Sequence, residues 1–309
     1  MMNLPEDSAH SSGMMRSVRN TVVKITHFLK MQDDVSSALM VGSQARKIKP
    51  ADEWSDIDIV IITTTPDRYL LDSSWLEHFG IRPKISFVEE TANGGVLEKR
   101  VLFNNGVAVD FTILPLNLIK ENINTDQTRG ELTKVLQRGV ILIKDENKLV
   151  SSFMEALLST SNNNGELKLP SISESEFSNS VNDFFFHVVW THRKLLRGEL
   201  WSATNCLDCY MKSLLLQMTE WYSKAKNSED YDTWHSGRFI EQWADKSILK
   251  DFHGIFAHYD YHDIESALRS TVKLYSRMAK YVANHYGFNY PTDVDRFAWK
   301  QTKIEGKKD

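Results

Sequence analysis

Apolar residues along the chain follow two different rhythms. Up to about residue 150 they come as short, β-branched runs cut by turn residues, and beyond about residue 173 they recur at three- and four-residue spacing. The first rhythm predicts strands at about Ser37–Val41, Ile57–Thr63, Lys84–Glu89, Leu97–Phe103, Val107–Leu114 and Val140–Ile143. Ahead of them, Val18, Val22, Ile25 and Leu29 mark one face of a helix from Ser17 to Lys30, while residues 1–14 are polar and expected to fray. Pro66–Phe79 reads as one helix or two short ones, stopped by Gly80. Asn104-Asn105-Gly106 signals a tight hairpin, Pro115 is placed to open a helix, and a further helix is expected near Gly130–Arg138.

The stretch Ser159–Ser173, STSNNNGELKLPSIS, is a loop by composition. Everything after it reads as helix, over about Glu174–Arg197, Ala203–Lys226, Phe239–Ala244 and Ile264–Tyr286, before a charged tail. Two domains are therefore expected, an α/β domain over residues 15–158 and a helical domain over 172–290. There is no internal repeat and no 18-residue apolar run, and the first residues lack a signal-peptide core, so a cytoplasmic protein without a membrane partner is expected.

Composition changes this picture little: 309 residues, 41% hydrophobic and 25% charged, suit a globular chain with a sizeable core. A net charge of −4 without a basic run argues against nucleic acid as a partner and fits a cationic small molecule better. Cys206 and Cys209 form a lone CxxC on an apolar helical stretch and are expected to pack in a core. The ten histidines show no zinc spacing, and no P-loop or dinucleotide-binding glycine motif is present.

The candidate chemistry lies between Gly42 and Asp110. A Gly42-Ser43 turn and a polar loop lead to Asp56-Ile57-Asp58, which enters the apolar run Ile59-Val60-Ile61-Ile62. Alternation along a strand sends Asp56 and Asp58 to one face, where like charges repel unless a cation lies between them. Asp110 interrupts a second buried-strand pattern, which is costly for a carboxylate that is neither paired nor metal-bound. Together the three acids suit two Mg²⁺ ions about 3.5–4 Å apart, the clamp used for in-line displacement at phosphorus. The plainer alternative has Asp56 capping a turn and Asp110 paired with an arginine.

A Gly-Ser turn, D-x-D on a strand and a single Asp on a later strand resemble the nucleotidyltransferase fold of DNA polymerase β. The segments GSQAR, Lys49-Pro50, WSDIDIVII and VLFNNGVAVDFTILPLNLI resemble more narrowly the aminoglycoside 6-adenylyltransferases, also called streptomycin adenylyltransferases, with weaker likeness through most of residues 17–290. The resemblance implies an α+β protein: a nucleotidyltransferase mixed-sheet domain followed by an all-α helical-bundle domain. It implies ATP as co-substrate, Mg²⁺ as cofactor, and AMP transfer to a hydroxyl of a streptomycin-like aminoglycoside. Asp56 and Asp58 would hold the metal, and Asp110 would complete the set or take the hydroxyl proton. Alternatives are another acceptor, such as a lincosamide or a protein hydroxyl, and a nucleotide-binding module without catalysis.

Further residues are weighed against plain structural roles. Gly42 permits a tight turn beside a ligand, and Ser43 offers a hydroxyl and an N–H to a triphosphate. Arg46 is either a phosphate ligand or a solvated loop cation. Lys212, on an otherwise apolar helix, and Arg238, after His235-Ser236-Gly237, are candidate phosphate contacts or ordinary salt-bridged cations. Trp190, His192 and Trp201 form a sugar-stacking wall or part of a core. Asp183, Glu199, Asp208, Asp260 and Asp263 are the acids available to a cationic acceptor. The sequence leaves oligomeric state open, with a monomer favoured.

Overall fold

The structure is a computed structural model that describes residues 8–91, 95–117, 138–152, 155 and 172–302. The chain divides into two compact units, Met1–Gly165 and Glu166–Asp309.

In the first unit, helix α1 (Ser8–Lys30) starts earlier than its apolar stripe predicts and precedes strand β1 (Val35–Val41). The remaining strands are β2 (Ile57–Thr63), β3 (Pro83–Glu90), β4 (Leu97–Phe103), β5 (Ala108–Pro115) and β6 (Ile141–Asp145). Between β2 and β3 the expected helical stretch is two short pieces, helix α2 (Pro66–Leu70) and a 3₁₀ turn at Ser74–Phe79 ended by Gly80. Pro115 corrects an expectation: it closes β5, so its missing N–H falls at a strand end, and helical residues follow from 116. The helix expected near Gly130–Arg138 lies almost wholly outside the described residues.

The six strands form one mixed sheet in the order β3-β4-β5-β2-β1-β6. Only the β2–β5 pair is parallel; the other four pairings are antiparallel. Alternation separates the two faces cleanly. One face sends Ala38, Met40, Ile57, Ile59, Ile61, Val109, Phe111 and Ile113 into a core with α1, Tyr69, Trp75 and Phe79. Trp75 packs edge-on to Phe111 with ring centroids 4.9 Å apart. Lys99 reaches this side too, and its ammonium donates to the carbonyls of Leu70 and Asp72, both at 2.8 Å. The opposite face has a smaller apolar cluster of Leu39, Val41, Ile62, Leu114 and Val150, and beside it the carboxylates described below.

The second unit is helical: α3 (Glu174–Leu196), α4 (Leu200–Asn205), α5 (Met211–Lys226), α6 (Ile240–Trp243), α7 (Lys246–Asp251), α8 (Tyr261–Tyr286) and α9 (Thr292–Thr302). A π-helical turn at Cys206–Tyr210 joins α4 to α5. The short α7 and the polar α9 were not anticipated, and α9 carries the unit past residue 290. A capping box of Ser173 and Glu176 opens α3, and Asp260 caps α8. Phe177, Phe184, Leu215, Leu268 and Tyr275 lie in the core, with Phe184 stacked on Tyr275 at 3.6 Å. Cys206 is buried in this core, but Cys209 is exposed, because the wider π turn rotates it off the apolar face. Among the described residues no helix is long and apolar enough to cross a membrane.

Glu220 on α5 gives a pH test of this packing, since burial pushes its carboxyl from the ordinary 4.5 up to about 7. A carboxylate with a raised folded pKa weakens the fold as pH climbs from the unfolded to the folded value. Glu220→Gln is expected to leave stability unchanged near pH 4.5 and to exceed wild type at pH 8. Denaturant melts at the two pH values measure this, and equal curves at pH 8 would remove the assignment.

Candidate metal and nucleotide site

The parallel register of β2 and β5 sets Asp58 directly opposite Asp110, and Ile57 opposite Val109. Asp56 stands just before β2, two residues from Asp58, while Ile57 between them is fully buried on the other face. Each of the three acids has a carboxylate oxygen within 4.8 Å of the others. All three are half-buried, open enough for a ligand to reach. Burial is the main reason the Asp110 carboxyl is pushed up to about 6; Arg100 opposes the rise, and Asp56, Glu98 and Glu89 add to it. Three hard oxygen donors crowded against their own repulsion fit a divalent cation such as Mg²⁺.

The Gly42-Ser43 turn is built against the same carboxylates. Gly42 has φ +65°, and a Cβ placed on it would lie 1.8 Å from Asp58 Oδ2. The glycine is thus required twice, by conformation and by the carboxylate resting on its backbone. Ser43 is buried, and its Oγ donates to the Asp56 carbonyl at 3.4 Å, joined there by Gln44 Nε2 at 3.3 Å. Gln44, which sequence reasoning passed over, therefore ties the turn to the start of β2. Arg46 donates from Nε to the Lys49 carbonyl, closing the loop on itself. A second glycine, Gly139 (φ +134°), backs this loop, and a Cβ there would lie 2.3 Å from the Ala45 carbonyl oxygen.

Arg100 on β4 pairs in register with Asp110, and its Nε lies 3.5 Å from Asp110 Oδ2. The carboxylate cluster and the arginine pairing, set out as alternatives, thus meet at Asp110. Glu98 and Glu89 grip the same guanidinium, each at 2.7 Å. Neither acid was singled out in the sequence; an E-x-R alternation on the strand before the Asp110 hairpin was the available signal.

The remaining candidates lie in the helical unit. Lys212 is bonded there to the Leu207 carbonyl at 3.1 Å, Asp208 at 3.3 Å and Thr271 Oγ1 at 3.2 Å. Burial pulls its ammonium down to about 8. Arg238 is exposed, in a segment where Trp234, Ser236 and Phe239 all have positive φ. His192 is buried, Trp190 is half-buried under Lys194, and Trp201 is 76% exposed, so the three do not form one wall. The five acids considered for a cationic acceptor all have local partners. Asp183 accepts from Tyr210 and His187, Glu199 from Lys194 and Arg197, Asp208 from Lys212, and Asp263 from His258, while Asp260 caps α8.

A mixed sheet that gathers three carboxylates, one just before β2 and two on the adjoining strands β2 and β5, beside a Gly-Ser turn is the arrangement expected of a nucleotidyltransferase, and the family match bears this out. The family model described as streptomycin adenylyltransferase matches residues 15–301. The chain belongs to that family. An aminoglycoside 6-adenylyltransferase from Campylobacter jejuni is 22% identical over 302 residues, which cover 96% of this chain and 99% of that protein. The aminoglycoside 6-adenylyltransferase of Bacillus subtilis (strain 168) is 22% identical over 294 residues, 94% of this chain and 98% of that one. A crystal structure of an aminoglycoside 6-adenyltransferase from Bacillus subtilis matches at a TM-score of 0.42 and 16% identity, over 94% of this chain and 97% of that chain.

The packing of Gly42 on Asp58 yields a direct test. Gly42→Ala is expected to fold, but with Asp58 displaced and the stabilisation by divalent cations lost. Thermal melts with and without Mg²⁺ read this, and a wild-type metal shift in the variant would refute the packing argument.

Proposed function

We propose that the protein transfers the adenylyl group of ATP to a hydroxyl of an aminoglycoside such as streptomycin and releases pyrophosphate. The observation that carries this reading is the in-register pairing of Asp58 with Asp110, which gathers the triad beside the Gly42-Ser43 turn. The acceptor class is supported by the relatives, which are named aminoglycoside 6-adenylyltransferases.

Asp56, Asp58 and Asp110 would hold Mg²⁺, which when bound neutralises phosphate charge at the reacting phosphorus. Ser43 and the backbone of the Gly42 turn bind the triphosphate, with Arg46 of the same loop as a further phosphate contact. The acceptor hydroxyl oxygen forms a bond to the α-phosphorus as the bond to the bridging oxygen of pyrophosphate breaks. The hydroxyl proton leaves with a carboxylate or water at the site. The protein's own contribution is positioning and fixed charge, with little covalent chemistry. The three donors of Lys212 are met inside the helical unit, so the reading rests on the first unit.

The test is pyrophosphate release from ATP with streptomycin and a panel of other aminoglycosides, with mass spectrometry for an AMP adduct. Release without an adduct, or none with any aminoglycoside, would reject the acceptor class. Asp56→Asn is expected to lower turnover by about 10²-fold or more, the scale of a preorganised charge. Its metal-free melting temperature should equal or exceed that of wild type, because the charge removed opposes Asp110. For Asp110→Asn, a ligand role predicts weaker Mg²⁺ dependence as well as lost turnover. A pure proton acceptor would lose about 10²–10⁴-fold in kcat with metal dependence intact.

A further inference from the structure

Four strands present one row of side chains across the sheet: Phe87 on β3, Arg100 on β4, Asp110 on β5 and Asp58 on β2. The next row on the same face holds Glu89 opposite Glu98, and Glu98 opposite Thr112. Arg100 therefore sits where three acids converge. Its Nη2 lies 2.7 Å from Glu98 Oε1 and its Nε 2.8 Å from the same oxygen, a two-point grip. The Nε also lies 2.7 Å from Glu89 Oε1, and only 3.5 Å from Asp110 Oδ2. One Nε–H cannot serve three carboxylates. The short contacts go to the glutamates, and Asp110 keeps a longer one, beyond the 2.7–2.9 Å or so of a charge-assisted hydrogen bond.

Glu98 is the stronger tether. Its side chain is 9% exposed, against 42% for Glu89, so its charge is largely removed from water and depends on the guanidinium. Without that tether, the guanidinium is free to close on Asp110 in a bidentate pair that occupies the carboxylate a cation needs.

We propose that Glu98 is a positioning residue, which by holding Arg100 keeps Asp110 available to the metal site. This rests on the triad being a divalent-cation site, and the experiment separates the two claims. Mn²⁺ binding to the full chain without nucleotide is followed by the loss of the free-ion electron paramagnetic resonance signal. No binding by wild type would overturn the site itself. Given binding, Glu98→Gln is expected to weaken it by about tenfold or more, as residues behind metal ligands do. Adding Arg100→Gln to that variant should restore binding to the level of Arg100→Gln alone, since no guanidinium is left to capture Asp110. A merely structural role for Glu98 would leave the double variant as weak as Glu98→Gln, which would overturn the proposal. Unchanged binding in Glu98→Gln would overturn it as well. Should Glu98→Gln fail to fold, Glu89→Gln tests the tether from its exposed end. A smaller loss that disappears in the Arg100→Gln background is expected there, and a loss that persists would overturn the proposal.

Discussion

The structure turns on one parallel strand pair. Pairing β2 with β5 in register brings Asp58 beside Asp110, and chain direction adds Asp56 at the entrance to β2. The sheet does this against electrostatics. Two carboxylates within 4.8 Å repel by roughly 3 kcal/mol at an effective dielectric near 20. Such crowding persists only where packing elsewhere over-determines the strands. The other face of the same two strands supplies it, since Ile57, Ile59, Val109 and Phe111 are almost wholly buried against Trp75 and Phe79. Removing a buried Phe typically costs about 3–5 kcal/mol, so the apolar face outweighs the repulsion on the acidic one.

The same constraint explains features that look local. Gly42 is the residue that leaves room for Asp58, and Gly139 is the one that lets the chain entering β6 run against Ala45. Ser43 and Gln44 both donate to the Asp56 carbonyl, fixing the turn to the residue that begins the acidic pair. On the far side, Arg100 offsets part of the charge while two glutamates restrain it. Loop, strand ends and neighbouring strand all converge on carboxylates held close together and left reachable.

Much of this was legible in the sequence, for physical reasons. The run Ile57–Thr63 matched its strand because it is rich in β-branched residues, and Leu97–Phe103 matched because the turn signals Asn93-Gly94-Gly95 and Asn104-Asn105-Gly106 flank it in the sequence. The acids were found because an aspartate inside an apolar strand is costly enough to need a cause. The order of strands was not legible, since pairing β2 with β5 joins residues about fifty positions apart and periodicity says nothing about partners. Arg100, Glu98 and Glu89 escaped notice for the same reason: on paper they are the ordinary polar positions of an exposed hairpin, and only the register gives them a role. Cys209 was misplaced because 3.6-residue periodicity does not foresee a π turn.

In the helical unit, most of the charged candidates picked from the sequence already have partners within the unit. Lys212 draws attention as a cation in an apolar helix, yet it is a buried group that Asp208, Thr271 and the Leu207 carbonyl stabilise. Its depressed basicity follows from burial, and Asp208 works against it. The five acids that a cationic ligand would seek are engaged with a lysine, arginine, histidine, tyrosine or helix terminus close by. Some of these pairs join helices: one carboxylate oxygen of buried Asp295 on α9 meets Lys280 of α8 and the Tyr290 hydroxyl. A charged residue stands out chemically only where the fold leaves its charge uncompensated. In the first unit, β2 and β5 bring three acids within 4.8 Å of one another beside one arginine that two glutamates restrain.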